Sequence, residues 1–332
     1  MKIIDIARGD GVKTVHEMEA RFASFAMTIE GAESIDKILQ STHQGQRADY
    51  LWRDRSSIVE LKVLRADPQI KVDSTFDELR KRDDFPLIFG EVEASKVLAH
   101  LPDGDEQMRR LHQKVMRSVE GAFRDAKRQI ANTKRILKLE DALGILVLLN
   151  PDIESLDPVN VGKEISRLIQ KRQNDMWAVD VVWLLSEAHL IGGGMPCIII
   201  EGDKVGRFPW SEDFIANLNK AWANFNGSPM LSHDSTLLSD LRVMRQSDNH
   251  VGPMTREQLW RENYRANPYL AQLDDNAVRE FGHQSAMSLV PYFTKDGPRR
   301  PLVELEPLIQ RWAHFLEEAS MRGLNMRGMG LK

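Results

Sequence analysis

The chain has 332 residues, 42% hydrophobic and 28% charged, with a formal net charge of −4. That length supports a sizeable core, and at roughly 150 residues per domain it suggests two domains. The overall charge singles out no partner, and the single cysteine, Cys197, excludes an internal disulfide framework and reads as a buried, inert thiol in the apolar run PCIII.

The N-terminal stretch MKIIDIARGDGVKTVHEMEARF reaches acidic and polar residues too soon for a signal peptide. No apolar run approaches the ~18 residues of a membrane span, so a cytoplasmic chain without membrane contact is expected. From Val15 to Gln40, Met18, Phe22, Phe25, Ile29, Ala32, Ile35 and Leu39 recur every three or four positions, which predicts a helix that Gly31 bends. Two short apolar runs follow within RADYLWRDRSSIVELKVLRADP, residues 47–68, and read as strands. Residues 65–105 are mixed, with a short helix expected in DFPLIFGEVEASKVLAHL.

A long amphipathic helix is predicted over 107–139. Between Met108 and Lys138 it carries ten Lys or Arg against two acids, Glu120 and Asp125. ALGILVLLNP then reads as a strand buried on both faces, VGKEISRLIQKR as a helix, and WAVDVVWLLSEA and MPCIIIEG as strands. This alternation predicts an α/β domain over 1–203. Residues 204–332 read as a mainly helical C-terminal region, with helices in SEDFIANLNKAWANF, STLLSDLRVMRQ, DNAVREFGHQSAMSLV and LVELEPLIQRWAHFLEEASMRG, and a frayed tail.

Three charges sit inside the two strand-like runs. Side chains alternate along a strand, so Glu60 and Lys62 share a face opposite Val59, Leu61 and Val63. A hairpin closing symmetrically about Asp54 and Arg55 pairs positions summing to 109, which sets Asp49 opposite Glu60, Arg47 opposite Lys62 and Leu51 opposite Ile58. Like charges so placed, with Cβ atoms roughly 4.5 to 5.5 Å apart, repel and call for a cation between them. A hard divalent ion with oxygen ligands suits the pair, leaving Lys62 beside a reacting phosphate. A slip of one residue would send Asp49 to the other face. The competing reading is a metal-free α/β protein in which Glu60 and Lys62 form a solvated ion pair and Asp49 merely starts a strand.

ADYLW followed by SIVELKVL, preceded by a helix and followed by a helix and a strand, resembles the PD-(D/E)XK nuclease superfamily over residues 15–150. The resemblance implies a restriction-endonuclease-like mixed sheet flanked by helices. It implies Mg²⁺ or Mn²⁺ held by Asp49, Glu60 and the backbone carbonyl of Leu61, a catalytic Lys62, a further carboxylate from the first helix (Glu30, or Glu33), and Gln129 on the helix after the lysine strand. Gln129 reads equally as a surface polar residue. Ala48 stands where the family name has proline, and the connection before the basic helix is longer than the pattern requires.

On that basis Lys127, Arg128, Lys134 and Arg135 are expected to contact nucleic-acid phosphates, although a solvated helix face explains them as well. Trp210, Trp222 and Trp260 could stack on bases, but their apolar neighbours make them core candidates. No phosphate-binding P-loop, zinc-spaced Cys/His cluster or His-Glu-x-x-His occurs, and GGG at 192–194 reads as a turn. The expected activity is that of a metal-dependent endonuclease acting on DNA, in anti-phage defence because the appended region resembles no repair module. The alternatives are a repair nuclease and a non-catalytic nucleic-acid-binding or assembly subunit. A homodimer, or a partner subunit, would supply the second active site that cutting a duplex needs.

Overall fold

The computed structural model describes residues 2–7, 15–39, 46–90, 92–171, 178–191, 194–203, 205–227, 230–233, 243–245, 254–294, 298 and 301–327. The chain divides into two compact units, one of residues 1–72 and 113–250, the other of 73–112 and 251–332. The boundary expected at residue 203 therefore differs from this division, which assigns the segment after 203 up to His250 to the first unit and 73–112 to the second.

The first unit is built on a mixed eight-stranded sheet. Its strands are β1 (Lys2–Ala7), β2 (Glu33–Ser34), β3 (Tyr50–Trp52), β4 (Ser57–Val63), β5 (Leu143–Asn150), β6 (Val181–Ser186), β8 (Met195–Glu201) and β9 (Met230–His233). Their order is β2-β3-β4-β5-β6-β8-β1-β9, with β4, β5 and β6 parallel and the other neighbours antiparallel. Short β7 (His189–Ile191) and β10 (Val243–Arg245) form a separate pair. Val243–Arg245 is thus strand where STLLSDLRVMRQ was expected to be helical, and the rest of that stretch lies outside the described residues. Gly192, Gly193 and the last residues of the Met-rich tail lie outside them too.

Helices cover both faces, and the alternation of each strand sorts its side chains between them. On one face Leu51, Ile58, Leu146, Leu148, Val182 and Leu184 pack with residues of α2 (Ile35–Ile38), α5 (Gly104–Leu137) and α6 (Pro158–Lys171). On the other, Trp52, Val59, Ile145, Val147 and Trp183 pack with α1 (Val15–Ala26) and α7 (Ser211–Phe225). All of β5 is buried, as its unbroken apolar run predicts. Gly144 in β5 leaves no room for a side chain, since a Cβ there would stand 1.7 Å from the Ala178 carbonyl oxygen. Cys197 is buried, as expected.

The helix expected over 15–40 is broken. It ends at Ala26, and turns close by Thr28 N–H to the Phe25 carbonyl and Ala32 N–H to the Ile29 carbonyl. Gly31 has φ +64°, and a Cβ there would lie 2.4 Å from the Asp54 backbone nitrogen, so the chain reverses tightly against the hairpin turn.

The second unit contains α4 (Ala94–Leu98), α8 (Arg256–Ala266), α9 (Asp275–Phe293) and α10 (Leu302–Arg322). The division falls within α3 (Gln69–Arg80) and within α5. α9 and α10 approach closely, because Gly282 leaves space that the Phe315 ring occupies 2.2 Å from where a Cβ would be. Among the described residues no helix is long and apolar enough to cross a membrane.

Candidate active site on the β3–β4 hairpin

The hairpin has the register expected from its symmetry. Tyr50, Leu51 and Trp52 pair with Val59, Ile58 and Ser57. Its turn is unusual: Arg53, Asp54 and Arg55 all have positive φ (52°, 50° and 71°), a conformation that costs roughly 1 kcal/mol or more for each non-glycine residue. Side-chain contacts offset that strain. The Arg53 guanidinium lies 4.8 Å from the Trp210 ring centroid, Arg55 forks onto Glu33 at 2.7 and 2.9 Å, and Ser56 Oγ donates to the Arg53 carbonyl.

At the other end the regular pairing stops at Tyr50. Asp49 N–H donates to the Val59 carbonyl at 3.1 Å, and the Asp49 carbonyl accepts Ile35 N–H at 3.0 Å. The Asp49 carboxylate then reaches across to accept the Leu61 N–H at 2.7 Å, replacing a ladder carbonyl. The N–H and C=O of one strand residue point to the same edge, so the Leu61 carbonyl faces the side from which Asp49 approaches.

Glu60 is buried at 1% exposure. Its Oε1 takes the Lys62 ammonium at 2.5 Å, while its Oε2 is buried with no hydrogen-bond donor. Burial, and then the charge of Asp49, push the Glu60 carboxyl up to about 8. Asp49 is raised too, by burial first, against the lowering pull of the Leu61 N–H and of Lys62. Asp49, Glu60 and Lys62 therefore converge as the sequence implied.

Gln129 joins them from α5. Its Oε1 accepts Lys62 Nζ at 2.6 Å, and its Nε2 donates to the Arg47 carbonyl at 3.0 Å. The bridge ties Lys62 to the residue expected opposite it, and Gln129 is no idle surface residue. One turn along the same helix, Thr133 Oγ1 accepts the Ala48 N–H at 2.8 Å and fixes the entry to β3. Sequence reading missed Thr133 and missed Asp36, whose charge also raises Asp49 and which pairs with Arg47 at 2.8 Å.

Other expected site residues lie elsewhere. Glu30 is exposed, and its carbonyl accepts the Arg53 N–H at 3.0 Å, at the turn end of the hairpin, so the helix break removes it from the carboxylate pair. Glu33 is engaged by Arg55, which holds its carboxyl below the usual range. Lys134 is not a surface cation: it is 6% exposed, 3.8 Å from fully buried Asp180, and burial lowers its pKa. Arg128 is exposed and pairs with Asp125, and Arg135 is exposed with a 2.8 Å bond to Asn132 Oδ1. Lys127 is partly exposed. Trp222 is core, and Trp210 packs against that same core beneath Arg53.

A half-buried carboxyl, Asp49, facing a buried one, Glu60, with an orphaned oxygen fits a hard divalent cation. Among the described residues no group of three or more His, Cys, Asp or Glu converges as ligands, so Asp49 and Glu60 would share such an ion with the Leu61 carbonyl, water and substrate oxygens. No family model, curated protein or solved structure matches this chain.

Proposed function

We propose that the chain is a divalent-metal-dependent endonuclease of the PD-(D/E)XK type, acting on DNA. The observation that carries this reading is the convergence of Asp49, Glu60 and Lys62, with Gln129 holding the ammonium. Asp49 and Glu60 would hold Mg²⁺ or Mn²⁺. The bound ion supplies a Lewis acid that acidifies water and stabilises the charge growing on the phosphoryl oxygen. The Lys62 side chain is 25% exposed, so it can present Nζ to a phosphate or to the attacking water. Gln129 orients Nζ, because the Arg47 carbonyl fixes the amide from its other end. Lys127, Arg128 and Arg135 on α5 would contact the nucleic-acid backbone without reading sequence.

Nicking of supercoiled plasmid and of single-stranded DNA, with Mg²⁺, Mn²⁺ or EDTA, tests this. The wild type should cleave only with metal, and Lys62→Ala and Glu60→Ala should not. Equal cleavage by all three proteins, or cleavage in EDTA, sinks the assignment. The closed contact of Lys62 with Glu60 favours one other reading, a nucleic-acid-binding subunit in which the ion pair is structural. That reading gives DNA retention with no metal-dependent nicking.

A further inference from the structure

The second unit holds an open cleft of about 640 Å³, lined by His100, Asn276, Arg279, Glu280, His283, Asn325 and Arg327. Its volume lies within the ~300 to 1,000 Å³ of small-molecule sites, which are usually apolar. Here every lining side chain is polar or charged.

The two guanidiniums are held by neutral oxygens. Arg279 Nε donates to the Asn325 carbonyl at 3.3 Å and its Nη1 to Asn276 Oδ1 at 3.2 Å, while Arg327 Nη1 donates to the Asp83 carbonyl. Such acceptors fix the guanidinium planes without cancelling their charge. Asn325 anchors the frame, its Oδ1 accepting the N–H groups of Leu87 at 3.1 Å and Arg327 at 3.0 Å. His100 Nε2 contacts the Gly323 carbonyl at 2.7 Å, and a carbonyl only accepts, so Nε2 carries the proton. His283 adds a second imidazole from α9, one turn beyond Arg279. The acid in the lining, Glu280, takes the Gln284 amide at 2.9 Å.

The geometry points to a binding site for a phosphate monoester of about mononucleotide size in this cleft. Two pre-set guanidiniums match the charge and the paired oxygens of a phosphate. A bare anion would leave most of 640 Å³ unfilled, and the imidazoles and asparagines can hydrogen-bond an attached sugar or base. The phosphate could belong to a free nucleotide or to the 5′ end of a nucleic acid. The site does not depend on the hairpin being a nuclease centre.

Calorimetric titration of the full chain in EDTA tests the proposal, using a Lys62→Ala background so that no probe is cleaved. The probes are inorganic phosphate, AMP, and one short oligonucleotide bearing either a 5′-phosphate or a 5′-hydroxyl. AMP should bind, inorganic phosphate should compete with it, and Arg279→Gln and Arg327→Gln should each weaken AMP at least tenfold. Arg327 is exposed, so its variant keeps the test decisive if Arg279→Gln does not fold. Preference for the 5′-phosphate oligonucleotide over its hydroxyl form, lost in the same variants, would assign the site to nucleic-acid ends. Equal oligonucleotide binding would assign it to free nucleotides. No AMP binding at millimolar concentration, or unchanged binding in the arginine variants, overturns the proposal.

Discussion

Replacing Glu60 by Gln isolates the electrostatics of the hairpin site. The Glu60 carboxyl stands at about 8 against an ordinary 4.5, through burial and then Asp49. Between those values the folded chain keeps a proton that the unfolded chain has released, so stability falls as pH rises. The loss is absent below the lower value and complete above the higher one. At ~1.36 kcal/mol per unit, it amounts to about 3 kcal/mol near pH 7. Glu60→Gln keeps the shape and places a neutral amide where the neutral acid stood. Urea unfolding of both proteins in EDTA, from about pH 5 to 8, gives a difference curve in which the other titrating groups largely cancel. The two should agree within about 1 kcal/mol at pH 5, and the variant should lead by about 3 kcal/mol near pH 7. Mg²⁺ at about 100 times its Kd should then add about 2.7 kcal/mol to the wild type and far less to the variant. Parallel curves would refute the raised Glu60 carboxyl. An equal Mg²⁺ gain in both proteins would refute these carboxylates as ligands.

Lys62→Ala should lower metal-dependent nicking by about 10² to 10³ with the fold retained, measured by initial rate and circular dichroism. Gln129→Ala removes the hold on Nζ together with the bond to the Arg47 carbonyl, so the rate should drop about tenfold and stability by about 1 kcal/mol, with Lys62→Ala/Gln129→Ala no slower than Lys62→Ala alone. Gly31→Ala, at φ +64° and against Asp54, should cost more than about 1 kcal/mol in urea unfolding. Lys134→Met should leave DNA affinity unchanged in a filter-binding assay, whereas Arg128→Gln/Arg135→Gln should weaken it and flatten its salt dependence.

The hairpin was legible because two simple rules meet there. Period-two alternation put Glu60 and Lys62 on one face, and the symmetric turn set the register that Tyr50–Val59 and its neighbours show. What alternation cannot show is how Asp49 is held, since its carboxylate bonds a backbone N–H in place of the next rung. The stripe from Met18 to Leu39 looked continuous for a different reason. Met18, Phe22 and Phe25 pack on one face of the sheet, while Ile35 and Leu39 pack on the other. Two separate burials share a helical spacing, and Gly31 is where the chain crosses between them. The carboxylate sought at Glu30 depended on that helix being whole. In the second unit, Thr255 and Gln258 form a capping box that marks the start of α8, a signal present in the sequence but unused.

Lys134 shows how a charge count and a helix angle give different answers. Ten cations against two acids over 108–138 marked the helix as locally basic, and Lys134 was expected at phosphates together with Lys127, Arg128 and Arg135. Yet Lys134 stands four residues after Ile130, on the turn that faces the sheet, and both are buried. Its partner there is Asp180, whose Oδ2 also accepts the Gly144 N–H at 2.8 Å. The same helix therefore carries two kinds of cation: Arg128 and Arg135 are open to a ligand, and Lys134 offsets a buried carboxylate beside β5. Breaking that pair should cost stability and leave DNA affinity intact, whereas Arg128 and Arg135 should behave in the opposite way.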